Sequence, residues 1–142
     1  MESFNQLPTG KIIPVVQTKY NATSPTSLKD FVIDDVYFGM TPNKPTTVDF
    51  KERNLKISFN ASEDFTHLVV YTPKDDPWFC IENQTSSTDA HNLYEKGMKK
   101  VSHLQVVKPG ESKSGRVSFE MDEYTISSSV ETAPPSVVSL NE

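Results

Sequence analysis

Phe65-Thr66-His67-Leu68-Val69-Val70-Tyr71 is the stretch that decides the fold. Successive side chains of an extended strand point to opposite faces, so Phe65, His67, Val69 and Tyr71 share one side while Thr66, Leu68 and Val70 share the other. Just upstream, Lys56-Ile57-Ser58-Phe59-Asn60 alternates polar and apolar residues in the same way. Further outward, Lys11 to Val16, Val36 to Met40, Thr47 to Phe50, Trp78 to Glu82, Ser102 to Val107 and Arg116 to Met121 are strand candidates. Most are divided by Pro, Gly, Asn or Asp clusters. This spacing predicts an all-β chain folded as a β-sandwich.

The connections carry their own chemistry. In Lys108-Pro109-Gly110-Glu111 the proline presets φ and the glycine accepts a positive φ, which predicts a type II turn where two strands meet. Leu104 and Val106 would then anchor the incoming strand from one face. Asp75-Asp76-Pro77 is a second turn, releasing the chain into the strand that ends at Glu82. Thr88 to Lys100 predicts a short helix with Thr88 as N-cap and Gly97 interrupting it.

A chain of 142 residues is sized for one domain with a real core. The apolar fraction of 35% and mean hydropathy of -0.49 are low for a compact globule, which predicts that part of the chain lies outside that core. Composition places the division after Met121: residues 1–121 form the sandwich and the Ser/Thr/Pro-rich residues 122–142 form a flexible tail. The first residues, through about Gln6, are expected to be loose as well. A net charge of -5 argues against a phosphate-binding surface, so nucleic acid is not an expected partner. There is no basic opening followed by an apolar stretch and no run of membrane-spanning length, so the expectation is a soluble cytoplasmic protein without a membrane partner. The single Cys80, between Phe79 and Ile81, reads as a small buried thiol.

Candidate chemistry starts at Glu82, which closes an apolar strand and opens the polar loop Asn83-Gln84-Thr85. Trp78, Phe79 and Ile81 beside it would partly desolvate the carboxylate and make it a better proton acceptor near neutral pH, although a solvated strand end is the ordinary fate of such a glutamate. Trp78 itself could fill the core or support the apolar face of a sugar. His67, His91 and His103 show no ligand spacing, and neither G-x-S-x-G nor a phosphate-binding glycine pattern occurs, so no metal, cofactor or serine nucleophile is expected. Lys96, Lys99 and Lys100 beside Tyr94 read as a solvated loop.

Five short elements, Leu7 to Val15, Asp34-Asp35-Val36-Tyr37, Glu82-Asn83-Gln84, Asp89-Ala90-His91-Asn92 and Val107 to Glu111, stand in an order that resembles the galactose mutarotase (aldose 1-epimerase) family. Leu7-Pro8-Thr9-Gly10-Lys11-Ile12-Ile13-Pro14-Val15 is similar to the loop and strand that open its second half. Asp34-Asp35-Val36-Tyr37 resembles its D-x-x-F, and Glu82-Asn83-Gln84 its E-x-Q. Asp89-Ala90-His91-Asn92 resembles its D-A-x-N, and Val107 to Glu111 the turn before its closing strand. The resemblance implies the second half of a galactose mutarotase-like supersandwich and a reaction that interconverts α and β anomers of free aldoses such as galactose or glucose. It further implies Glu82 as the base for the C1 hydroxyl and Asp34 and Gln84 as sugar-binding residues, to which the aromatic chemistry of Trp78 adds a further expected sugar contact. Asp35 competes with Asp34, because Asp35-Val36-Tyr37-Phe38 satisfies D-x-x-F too. The family's two histidines, one of which protonates the ring oxygen, belong to motifs of its first half, and nothing around the three histidines here matches them. The implied partner is therefore a complementing N-terminal half. The alternative is a non-catalytic β-sandwich that binds carbohydrate or protein.

Overall fold

The computed structural model of the chain describes residues 3–4, 7–29, 31–124 and 137–140. Strands dominate. β1 (Ser3–Phe4) and β2 (Leu7–Pro8) pair with each other, and β3 (Thr26–Ser27) leads into β4 (Ile33–Phe38). β5 (Thr46–Phe50), β6 (Leu55–Ala61), β7 (His67–Thr72) and β8 (Cys80–Gln84) follow. Two short helices, α1 (Ala90–Glu95) and α2 (Lys99–Ser102), precede β9 (Val117–Glu123) and β10 (Val137–Leu140). The larger sheet runs β3-β10-β5-β6-β9 and the smaller one β4-β7-β8. The smaller sheet is antiparallel throughout, and β10 is the parallel member of the larger one.

The strands with clear alternation form where the pattern places them, because each has a buried face to fill. β7 buries Leu68 and Val70 on one side, and Ile33 of β4 and Ile81 of β8 lie on that same side. With Leu28 they make the core, ringed by Tyr20, Tyr37, Met40 and Phe79. Each fully buried Leu, Ile or Val contributes about 1.5–3 kcal/mol. The larger sheet meets the residues around this core through Phe50, whose ring lies 6.3 Å from that of Phe79 between centroids, and Val48, on the same side of β5, is wholly buried. β5 turns into β6 through a short 3-10 segment, Lys51–Arg53, closed by Asn54 at φ 52, a left-handed conformation that asparagine tolerates better than most residues.

Two expected strands are absent. Lys11 to Val16 is irregular and ends in a 3-10 turn, Val15–Gln17, started by Pro14 and closed by the Thr18 hydroxyl on the Val15 carbonyl at 2.8 Å. Ile12 and Val16 remain exposed, so no sheet face rewards extension there. Ser102 to Val107 fails similarly: Ser102 ends α2, His103 takes a left-handed φ of 44, and Val106 is 73% exposed rather than an anchor. The Lys108–Glu111 turn forms, with Gly110 at φ 82 and the Glu111 amide donating to the Lys108 carbonyl at 3.0 Å, but it joins irregular stretches instead of two strands. The helix begins at Ala90 with Asp89, not Thr88, as its N-cap.

β9 continues through Asp122 and Glu123, and the Tyr124 amide donates to the Asn54 carbonyl at 2.9 Å while its hydroxyl donates to Asp49. The sheet thus extends past Met121, and residues 137–140 run as a strand between β3 and β5. The rest of the expected tail, 125–136 and 141–142, lies outside the described residues.

Candidate functional site

The side of the smaller sheet away from the core mixes charged, polar and apolar residues. Directly paired residues of antiparallel strands project from one face, so the register sets out three rows. Asp34 pairs with Tyr71 and Tyr71 with Cys80; Val36 with Val69 and Val69 with Glu82; Phe38 with His67 and His67 with Gln84. Asp34, Glu82 and Gln84 therefore share a face with Tyr71 and His67, and Ile33, Leu68, Val70 and Ile81 occupy the opposite one. Asp34 and Glu82 sit two strands and one row apart, about 10–12 Å between backbones from ordinary strand spacing and rise.

Each expected site residue has a definite environment. Glu82 is exposed, and its carboxylate accepts a hydrogen bond from the Gln84 amide at 3.3 Å, two residues along the same strand. The desolvating surround expected from Phe79 and Ile81 is not there, because both belong to the core side of the sheet. Trp78 is 48% exposed, which rules out the core alternative, and its ring packs on Tyr71 at 5.3 Å. Cys80 is half-buried rather than buried. The neighbouring aspartates lie on opposite faces of β4: Asp34 is exposed on the face of Glu82, whereas Asp35 points the other way, half-buried, with burial raising its pKa above the usual carboxylate value.

Tyr71 was not singled out by its sequence context. It occupies the row between Asp34 and Cys80, two positions from the residue opposite Glu82, and with Trp78 it forms an aromatic wall at one end of the face. The signal existed in the alternation of β7, but reading it required knowing that Glu82 pairs with Val69.

The other end of the face is closed by the segment that follows β8. The Ser87 amide donates to the Ser102 carbonyl at 3.0 Å and the His103 ring meets the Thr85 carbonyl at 2.6 Å, folding α1 and α2 back toward the sheet. Leu93 of α1 and Ser102 of α2 are fully buried. His67 is the main tie. Its Nε2 lies 2.9 Å from the Val101 carbonyl, which can only accept, so Nε2 carries the proton and Nδ1 accepts from the Thr66 hydroxyl at 2.9 Å. Burial lowers its pKa to about 4, and the ring stacks near Phe38 at 4.9 Å. A neutral imidazole with both nitrogens occupied is a structural clamp, not an available acid. His91 is exposed on α1. Asp89 and Asn92 bond each other at 2.6 Å across the first turn of α1, so that motif shapes the loop. Lys99 lies over the Tyr94 ring at 5.1 Å on the outer surface.

A cleft of about 450 Å³ opens beside Trp78 on the core side, between Phe31, Phe50, Pro77 and Phe79. Glu82 is not on its wall. The carboxylates instead stand on an open sheet face with an aromatic wall at one end and the helical segment at the other. Among the described residues no three His, Cys, Asp or Glu side chains converge as a metal site, and no helix is long and apolar enough to cross a membrane.

A face with paired carboxylates, an amide and a tryptophan is suited to a polyhydroxylated ring, since carboxylates accept from hydroxyls and an indole covers a sugar's apolar side. The family model for aldose 1-epimerase matches residues 1–120, and the chain belongs to that family. No curated protein and no solved structure matches the chain.

Proposed function

We propose that this chain supplies the glutamate-bearing face of an aldose 1-epimerase. Glu82 is the base that takes the proton from the C1 hydroxyl, Asp34 and Gln84 hold sugar hydroxyls, and Trp78 covers the apolar side of the ring. The observation that carries this reading is the register of the smaller sheet, which puts Asp34, Glu82 and Gln84 on one solvent-facing side while Asp35 falls on the other.

The chemistry requires a second group. A carboxylate is a weak base against a sugar hydroxyl, so removal of the C1 proton must be concerted with protonation of the ring oxygen. As the ring opens, the C1–O5 bond breaks and an aldehyde forms at C1; rotation about C1–C2 and the reverse transfers close the ring as the other anomer. His67 is committed to the Val101 carbonyl and the Thr66 hydroxyl and cannot serve as that acid. The acid is taken to come from a complementing half of the enzyme, because none of the three histidines here lies in a motif like those that carry the family's acid.

Polarimetry of freshly dissolved α-galactose or α-glucose tests the reading. The chain alone is expected to leave the spontaneous rate unchanged, and addition of the first half of an aldose 1-epimerase is expected to restore turnover that Glu82→Gln abolishes. General acid–base catalysis is worth about 10²- to 10⁴-fold. Sugar binding without any restored turnover would instead favour a carbohydrate-binding sandwich.

A further inference from the structure

β9 is the outer strand of the larger sheet among the described residues, and the direction of its backbone groups can be worked out. The Ser62 amide donates to the Arg116 carbonyl at 2.9 Å, the Arg116 amide donates to the Ser62 hydroxyl at 3.1 Å, and the Tyr124 amide donates to the Asn54 carbonyl at 2.9 Å. Even-numbered residues thus turn their amide and carbonyl toward β6. Val117, Phe119, Met121 and Glu123 turn theirs toward the free edge.

The same odd residues hold the apolar side chains. Val117, Phe119 and Met121 lie opposite Ala61, Phe59 and Ile57, with Phe119 edge-on to Phe59 at 5.3 Å. Phe119 is 65% and Met121 72% exposed, so this side of the sheet extends beyond anything that covers it among the described residues. The strand contains neither proline nor lysine, two common devices that protect an edge from pairing.

We propose that this edge joins a second copy of the chain through antiparallel β9–β9 pairing, with the two-fold axis at Phe119. In that register Phe119 faces Phe119 of the second copy, Val117 faces Met121, Ser118 faces Glu120 and Arg116 faces Asp122. Every outward amide and carbonyl from Val117 through Met121 finds a partner, because these opposed residues exchange hydrogen bonds in pairs. The charges select this register over those with the axis further along β9. Arg116 and Asp122 are exposed and make no ion pair among the described residues, so they are available to meet across the axis. Moving the axis to Glu120 opposes two glutamates, and moving it to Met121 sets Glu120 against Asp122; like charges directly opposite are destabilising. A two-fold contact of this kind uses one edge per copy and closes as a dimer.

Sedimentation velocity on the full chain needs neither sugar nor a complementing half, so its outcome is independent of the catalytic reading. The expected species at tens of micromolar is a dimer of the 15.9 kDa chain. Phe119→Lys places two lysines on the axis and is expected to give a monomer with an unchanged circular dichroism spectrum. Arg116→Asp is expected to weaken the dimer about tenfold, and adding Asp122→Arg is expected to restore it, which separates a broken contact from a damaged fold. A monomeric wild-type chain, open-ended oligomers, or a dimer indifferent to both Phe119→Lys and Arg116→Asp would overturn the proposal.

Discussion

The two faces of the β4-β7-β8 sheet are built from the same strands and serve opposite ends. One carries Ile33, Leu68, Val70 and Ile81 and is filled by the core; the other carries Asp34, Tyr71, Glu82 and Gln84 and stands open between Trp78 and the α1–α2 segment. Adjacent residues within one strand therefore answer to different physics. Val70 is placed by burial, while its neighbour Tyr71 is placed by whatever the open face meets. The difference teaches that, on the proposed reading, stability and chemistry can be altered separately here, one residue apart.

The sharpest way to break that division is at Glu82. In a complemented enzyme Glu82→Gln is expected to lower the mutarotation rate by about 10²- to 10⁴-fold with little change in sugar affinity, since a base acts chiefly in the transition state. Its unfolding free energy should stay within about 0.5 kcal/mol of wild type, as for exposed substitutions generally. Near-normal polarimetric rates would remove Glu82 from the mechanism. On the other face, Leu68→Ala is expected to cost about 2–5 kcal/mol in urea denaturation, because it leaves a cavity among Ile33, Val70 and Leu28. A smaller loss would mean that the core collapses around the gap.

His67 tests the boundary between the faces. Its pKa is lowered to about 4 by burial, below the ordinary value of 6.5, so the unfolded chain binds the proton more readily than the folded one. Its contribution is fully present above pH 6.5 and is lost as pH falls toward 4, at up to about 1.4 kcal/mol per pH unit. His67→Gln should flatten the measured slope of unfolding free energy across that window. An unchanged slope would show that other groups account for it.

The smallest expected effect separates the adjacent aspartates. Asp34→Ala is expected to weaken sugar binding by about 1 kcal/mol, roughly fivefold, in a calorimetric titration of the complemented enzyme. Asp35→Asn, on the core side, should leave that affinity unchanged. Equal losses from both would contradict the assignment of the sugar to the face of Glu82.

Much of this was legible in the linear pattern. β5, β6, β7 and β9 form close to where alternation puts them, because a period of two with one apolar face is a sufficient instruction when a sheet is available to cover it. Glu82-Asn83-Gln84 was read as a strand end opening into a loop, whereas β8 runs Cys80–Gln84 and holds Glu82 at its middle, because β7 extends to His67 and pairs with all three residues. Lys11 to Val16 and Ser102 to Val107 misled because their apolar residues have no sheet to pack against, and local proline and helix-end geometry took over. Trp78 was ambiguous for a related reason: an aromatic ring satisfies a core or a surface equally well until its neighbours are known.

The sequence by itself determined that this chain is all-β, that its strands have an apolar and a polar side, and which family it belongs to. Those properties depend on residues near one another in the chain. Only the tertiary structure decided that Asp34 rather than Asp35 shares a face with Glu82, that Tyr71 stands beside Trp78, and that His67 is a clamp. Each follows from which residues of β4, β7 and β8 stand opposite one another, and a shift of one residue in that pairing would turn every side chain of a strand to the other face.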